Sequence, residues 1–126
     1  MQRVMKRRLL GGEGLRMNIE IEVLEHINSV EVNVCGEIDA YTAPKLRDAL
    51  YPFSTKEKMK IIVNLKDVVY MDSTGLGVLV GIFKNIRSNQ GELQIIGLTG
   101  RLKRLFEITG LADIMNINSR IEGEAE

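Results

Sequence analysis

The sequence predicts an α/β fold, a single domain built on a mixed four-stranded β-sheet with helices packed mainly on one face. Three observations support this fold class. The length of 126 residues fits one domain. Two early segments alternate apolar and polar residues, which is the period of a half-buried strand. After them, segments with helical spacing alternate with short apolar runs, the order expected when helices connect parallel strands.

The first two strands are predicted to form a hairpin over residues 18–25 and 29–36. Apolar side chains occupy every second position in both segments, and the polar peptide HINS provides the turn. Cys35 lies in the second strand, so we expect a buried, reduced thiol rather than a nucleophile. His26 lies in the turn, where we expect a solvated side chain. One cysteine and one histidine are too few for an internal disulfide or a structural zinc site.

A helix and a third strand follow the hairpin. The peptide GEIDAY breaks the alternation, and Thr42 with Pro44 is typical of an N-cap followed by proline in the first helical turn. This helix is predicted to end near Tyr51. The continuous apolar run KIIVNL then predicts a strand that is covered on both faces and ends near Asp67.

The rest of the chain predicts a second helix, a fourth strand and a third helix. The inward stripe of the second helix consists of Leu76, Leu79, Val80, Phe83 and Ile86. That helix is predicted to stop at Gly91, before the strand ELQIIGL. The third helix is predicted to begin after Thr99 as N-cap and to end at Gly110. Its predicted inward residues are Leu102, Leu105, Phe106 and Ile108.

Charge divides the chain into two unlike parts. The whole chain has 17 basic and 17 acidic residues and a net charge of zero. Residues 1–16 hold five basic residues and one acidic residue (+4), which leaves 12 basic and 16 acidic residues (−4) for residues 17–126. We therefore expect a flexible basic N-terminal extension over 1–16, a folded domain over 17–118 and a frayed tail over 119–126. A short basic cluster does not predict nucleic-acid binding. No apolar run is long enough for a bilayer, so we expect a cytoplasmic protein.

The peptide that carries the most chemical information is MDSTGLG, residues 71–77, at the predicted start of the second helix. Asp72 or Ser73 can cap a helix by accepting hydrogen bonds from its free backbone amides. Capping does not explain the glycines at 75, 77 and 81, because each lowers helix stability by about 1 kcal/mol relative to alanine. Gly77 and Gly81, called the glycine strip below, lie one turn apart and would let a strand, a helix or a partner protein approach closely.

Three functions can be compared for this peptide. A hydrolase nucleophile is disfavoured because Ser73 lies outside a G-x-S-x-G elbow and the one histidine would have to serve as base. A dinucleotide fingerprint is disfavoured because no glycine-rich loop precedes the helix. The third is a phosphorylation switch, in which a hydroxyl at a helix N-terminus receives a phosphate that the helix dipole tolerates.

Three peptides resemble the signature stretches of the anti-sigma factor antagonists of the STAS domain class: GEIDAYTAPKL (36–46), VVYMDSTGLGVL (68–79) and RLFEITGL (104–111). The resemblance covers about residues 17–118, in order, and is closest to the general-stress type of anti-anti-sigma factor. It implies a STAS-like domain and a bacterial regulator of transcription rather than an enzyme, with no cofactor. It also implies that the unphosphorylated form binds an anti-sigma factor serine kinase and frees the sigma factor.

The resemblance further implies roles for single residues. Ser73 is the residue that the kinase phosphorylates and that a PP2C-type phosphatase dephosphorylates, and Thr74 is a secondary candidate for phosphorylation. The implied partner-binding residues are Asp39, Tyr41, Thr42, Asp72, Ser73, Thr74, Gly75 and Gly77. No direct contact with nucleic acid or membrane is expected, and the basic residues Arg101, Lys103 and Arg104 are interpreted as a solvated helix face. The alternative is a stand-alone nucleotide- or small-ligand-binding module that uses the glycine strip.

Overall fold

Strands and helices alternate along most of the chain in a computed structural model, which describes residues 5–10 and 18–118, with side chains for residues 18–115. The strands are β1 (Met5–Leu10), β2 (Ile19–Glu25), β3 (Ser29–Ile38), β4 (Lys60–Met71), β5 (Glu92–Ile96) and β6 (Asn116–Asn118). The helices are α1 (Ala43–Ser54), α2 (Ser73–Ser88), α3 (Gly100–Ile108) and α4 (Leu111–Ile114). No helix in the described part of the chain is both long enough and apolar enough to cross a membrane.

The strands form one mixed sheet in the order β1-β2-β3-β4-β5-β6. Strands β1, β2 and β3 pair antiparallel, whereas β3, β4, β5 and β6 pair parallel. The α/β fold and the predicted four-stranded mixed sheet are confirmed in β2–β5. Each parallel pair is joined through one or more helices, because parallel strands need a crossover connection.

The sequence pattern does not predict the two edge strands. Strand β1 lies within the predicted basic extension and pairs with β2 from Met5 opposite Glu25 to Leu10 opposite Glu20. Strand β6 is three residues long and pairs with β5. The other parts of the predicted extension, residues 1–4 and 11–16, and the predicted tail, 119–126, lie outside the described residues.

The core lies between the sheet and the pair of helices α1 and α2, which pack against each other and against the central strands. In β2 and β3, buried valine and isoleucine side chains alternate with partly exposed ones, as the hairpin prediction requires. In α2, Leu76, Leu79 and Ile86 are buried as predicted. Ile82 is also buried, whereas the predicted inward residues Val80 and Phe83 are only partly buried at the edge of the core.

The structure corrects three predicted side-chain positions. His26 is half-buried rather than solvated, and its Nδ1 atom is buried. Cys35 is exposed rather than buried, because Val32 and Val34 face the core and the next residue of a strand points to the opposite face. Ile108 is 74% exposed, although Leu102 and Phe106 of the same helix are buried. At about 100° per residue, a position two residues beyond Phe106 lies on the other side of the helix.

Strand β4 is longer than predicted, and this extension brings the chain to the candidate site. It continues beyond Asp67 to Met71. Strand β5 pairs only with Lys60–Asn64, so residues 65–71 project past the end of β5. They remain paired with β3 on the other side, with register shifts between Asn33 and Cys35 and between Gly36 and Glu37. The helix that follows therefore starts at the carboxyl-terminal edge of the central strands.

Candidate functional site

Two of the motif peptides meet at the carboxyl ends of β3 and β4. Ile38, the last residue of β3, pairs in register with Met71, the last residue of β4. The Asp72 N–H also donates a hydrogen bond to the Ile38 carbonyl oxygen at 3.2 Å. The loop that begins at Asp39 and the helix that begins at Ser73 are consequently neighbours, as expected where parallel strands end at one edge of a sheet.

Asp72 is the N-cap of α2. Its backbone is extended, and its Oδ1 atom accepts hydrogen bonds from the N–H groups of Thr74 at 2.9 Å and Gly75 at 3.4 Å. These bonds satisfy two of the backbone donors that a helix start leaves free. Asp72 therefore caps the helix, and the Ser73 side chain is not needed for capping.

Ser73 is the first residue of α2, and its side chain is exposed. Within the described residues, its hydroxyl forms no hydrogen bond. Thr74 is exposed beside it. The chain's one histidine, His26, is half-buried in the β2–β3 turn, at the opposite end of β3 from this site. The imidazole that the hydrolase interpretation would need as a base is therefore far from Ser73.

The glycines of α2 serve two different purposes. Gly75 is buried, and a Cβ atom there would lie 2.6 Å from Ile38 Cγ2 and 2.9 Å from Met71 Cγ. It lets the first turn of α2 sit tightly on the ends of β3 and β4. Gly77 and Gly81 are exposed, and a Cβ atom at either would meet nothing within 4 Å. Packing inside the domain thus explains Gly75 and leaves the glycine strip bare.

The loop after β3 is held by reciprocal hydrogen bonds between Asp39 and Thr42. The Asp39 Oδ1 atom accepts from the N–H groups of Tyr41 at 2.9 Å and Thr42 at 3.1 Å, and Thr42 Oγ1 accepts from the Asp39 N–H at 2.8 Å. The Thr42 hydroxyl donates to the Glu37 carbonyl oxygen at 2.7 Å. Thr42 occupies the predicted N-cap position of α1, but its side chain caps the turn rather than the helix.

Some of the predicted partner-binding residues are buried and support the surface, whereas others are exposed on it. Thr42 is 1% exposed and Gly75 is buried, so both support the surface without being accessible to a partner. Tyr41 is 67% exposed at the tip of the loop. The residues that present an accessible side chain or bare backbone at this end of the domain are Tyr41, Ser73, Thr74 and Gly77, and they are called the Ser73 surface below.

A groove between α1 and α2 continues from the Ser73 surface. It has a volume of about 420 Å³ and is lined by Arg47, Tyr51, Thr74, Gly77, Val78, Gly81, Ile82 and Asn85. The Arg47 guanidinium lies 4.9 Å from the centre of the Tyr51 ring, a cation–π contact one helical turn apart. Arg47 and Tyr51 are not among the predicted site residues, although their spacing places them on one face of α1. Over the described residues, no three acidic, histidine or cysteine side chains are grouped to hold a metal.

Comparison with known proteins places the chain in a family. Residues 18–123 match the family model of the STAS domain. A protein of Listeria monocytogenes named anti-sigma-B factor antagonist is 53% identical over 109 residues, which cover 86% of this chain and 95% of that protein. Its counterpart in Bacillus subtilis, with the same name, is 49% identical over 107 residues, 85% of this chain and 97% of that protein.

Solved structures agree with this assignment at the level of the fold. An anti-sigma factor antagonist from Mycobacterium paratuberculosis superimposes with a TM-score of 0.73 at 24% identity, over 82% of this chain and 88% of that one. The phosphorylated form of the Bacillus cell fate determinant SpoIIAA gives a TM-score of 0.60 at 20% identity, over 79% and 92% of the two chains. Anti-sigma factor antagonists are regulatory binding proteins rather than enzymes. The chain belongs to the STAS domain family, within the group that contains the anti-sigma-B factor antagonists.

Proposed function

We propose that the unphosphorylated chain binds a cognate anti-sigma factor serine kinase through the Ser73 surface and so frees the sigma factor for transcription. Phosphorylation of Ser73 ends this contact, and a PP2C-type phosphatase restores it. The observation that carries the proposal is the exposed Ser73 hydroxyl at the start of a helix whose cap is already supplied by Asp72. The names of the relatives from Listeria and Bacillus point to the same class of partner. The cytoplasm, where sigma factors act, is the proposed location.

The chemistry required of this chain is only to present a hydroxyl. The Ser73 oxygen attacks the γ-phosphorus of the kinase's ATP, a new O–P bond forms, the β–γ bridging bond breaks and ADP leaves. The serine proton passes to a base on the kinase. Asp72 keeps its carboxylate turned to the backbone amides of Thr74 and Gly75, which orients the first turn of α2. The solved structure of phosphorylated SpoIIAA is a precedent for a phosphorylated form on this fold.

The effect of the phosphate follows from local charge rather than refolding. A phosphate group adds about −1.5 to −2 charges beside the Asp72 carboxylate. A partner surface matched to a neutral hydroxyl must then desolvate that charge, and a loss of about 3 kcal/mol weakens binding more than a hundredfold. The exposed position at a helix N-terminus tolerates the added charge, so the domain is expected to stay folded.

Substitutions at Ser73 test this function against the purified cognate kinase. We expect Ser73→Ala to bind at wild-type affinity whatever the phosphorylation conditions, and Ser73→Asp to lose binding. Ser88→Asp is the matched control, because Ser88 is exposed at the far end of the same helix, roughly 22 Å away at 1.5 Å per residue. Equal binding of the kinase by the two Ser73 variants would refute the phosphorylation switch.

The α1–α2 groove favours one other candidate, a module that binds nucleotides or another small ligand. Its volume of about 420 Å³ and the Arg47 guanidinium fit part of a nucleotide. The glycine strip is less suited to phosphate, because Gly77 and Gly81 lie inside α2, where backbone N–H groups already bond to the preceding turn. Calorimetry with ATP, GTP and GDP separates the candidates: micromolar binding by the isolated chain favours the module, and its absence favours the switch.

A further inference from the structure

A second groove lies on the other side of the β4–α2 junction, between the projecting end of β4 and helix α3. This β4–α3 groove has a volume of about 560 Å³. Its lining includes the apolar residues Val69, Tyr70, Met71 and Ile108, and its charged residues are Lys66, Arg101 and Arg104. It is therefore an apolar groove whose charged residues are all cations.

Three apolar residues of the groove's lining are exposed, whereas Val68, Met71 and Leu102 are buried. Val69 is 69% exposed, Tyr70 is 47% exposed and Ile108 on the opposite wall is 74% exposed. Val69 and Tyr70 are consecutive residues of β4, and an ideal strand with one covered face would bury one of them. The burial pattern of residues 65–71 instead repeats every third residue, where the pairing with β3 shifts register. A contiguous exposed apolar patch of this kind is typical of a protein-binding surface.

The same stretch of β4 has a free edge. Strand β5 pairs with β4 only as far as Asn64. Where the two strands separate, the Asn64 Oδ1 atom accepts a hydrogen bond from the Lys66 N–H at 3.0 Å. From Leu65 to Met71, no strand in the described part of the chain pairs with β4 on this side. Because this edge borders an apolar groove, it offers a docking position for an extended segment of another chain.

Among the described residues, the three cations of the groove form no ion pair, and helix stability does not explain the one at the start of α3. Lys66, Arg101 and Arg104 are all exposed. Arg101 lies in the first turn of α3, which contains no acidic residue. A cation there is unfavourable, because the helix dipole is positive at that end. These side chains lie at the rim of the groove in a domain whose residues 17–126 have a net charge of −4.

The groove and the Ser73 surface are close to each other along the chain. Met71 lines it and directly precedes Asp72, so a partner that covers Ser73 comes within two residues of the groove. We propose that the partner that recognises Ser73 also places an acidic segment with apolar side chains in the β4–α3 groove. Its apolar side chains contact Val69, Tyr70 and Ile108, and its carboxylates pair with the rim cations. This inference rests on the proposed function, because it assigns further contacts to the same partner.

Charge reversal at the rim tests the inference by calorimetric titration of the cognate kinase. The double variant Arg101→Glu/Arg104→Glu is expected to bind about tenfold or more weakly than the wild type. The control Lys56→Glu/Lys103→Glu makes the same change of net charge at two exposed lysines that do not line the groove, one just after α1 and one on α3. It is expected to bind within about twofold of the wild type. Binding by the wild type should weaken between about 50 and 500 mM NaCl, and the groove variant should lose part of that dependence.

An apolar variant tests the groove without changing its charge. Ile108→Ser removes an exposed side chain of the lining and is expected to weaken binding about fivefold, whereas Ile27→Ser, exposed in the β2–β3 turn at the other end of the sheet, should have no effect. Thermal melting of every variant confirms folding. Equal affinity of the groove and control variants overturns the inference, and Ser73→Asp measured in parallel shows whether the switch itself holds. If Ser73→Asp still binds, the proposed function fails, whatever the groove variants do.

Discussion

Replacing glycines of α2 with alanine should separate structural glycines from functional ones. Gly77 and Gly81 lie in the interior of α2, and a Cβ atom at either meets nothing within 4 Å. Alanine at each position should therefore stabilise the helix by about 1 kcal/mol or less, because it restricts the unfolded chain and removes no contact. The double variant Gly77→Ala/Gly81→Ala should gain about 1–2 kcal/mol, which raises the Tm by about 4–8 °C for a domain of this size.

The opposite result is expected for Gly75→Ala. The new methyl group would lie 2.6 Å from Ile38 Cγ2 and 2.9 Å from Met71 Cγ, both on buried side chains that must shift. Overpacking of this kind costs about 1–3 kcal/mol and outweighs a helix-propensity gain of at most about 1 kcal/mol. Gly75→Ala should lower the Tm, so alanine in one helix is expected to stabilise at two positions and destabilise at a third.

Partner binding completes the test, because the glycine strip has no packing role inside the domain. If the kinase approaches this strip closely, the stabilised double variant should bind about 5- to 150-fold more weakly, corresponding to about 1–3 kcal/mol of steric cost. Differential scanning fluorimetry and titration of the kinase measure the two effects. A double variant that melts below the wild type would refute the packing argument, and one that binds with unchanged affinity would refute a role for the strip in the interface.

Two further predictions concern the cap of α2 and the exposed thiol. Asp72→Ala should lower the free energy of unfolding by about 0.5–2 kcal/mol in denaturant titration, because the N–H groups of Thr74 and Gly75 lose their acceptor; unchanged stability would contradict the capping geometry. Cys35 should react stoichiometrically with Ellman's reagent in the native protein, since its side chain is exposed. Reaction only after unfolding would contradict that exposure.

Periodicity and cap chemistry predicted the central elements of the fold. Alternating apolar residues gave the β2–β3 hairpin, and the helix starts at Ala43, Ser73 and Gly100 follow the residues predicted at Thr42, in the MDSTG peptide and at Thr99. Strands β1 and β6 were missed for a physical reason. Strand β1, MKRRLL, has consecutive basic residues and no apolar–polar alternation, and β6 has only three residues, too few to show a period.

The candidate site was predictable where it depends on neighbours in sequence and was missed where it depends on tertiary contacts. The sequence predicts Asp72 as one of two candidate caps, because capping uses amides only two and three residues away. The difference between Gly75 and the glycine strip required the position of Ile38, which is 37 residues earlier in the chain. The β4–α3 groove likewise depends on where β5 stops pairing with β4, which no local pattern reveals.

The central claim is that one phosphate on Ser73 ends partner binding. The direct measurement is to incubate the chain with ATP and the cognate anti-sigma factor kinase, to locate the phosphate by mass spectrometry, and to titrate the purified phosphorylated form against the kinase. The account predicts a single phosphate on Ser73, a folded domain and affinity at least a hundredfold weaker, in line with a loss of about 3 kcal/mol. A phosphate outside residues 73 and 74, or a phosphorylated form that binds as tightly as the unmodified chain, would contradict it.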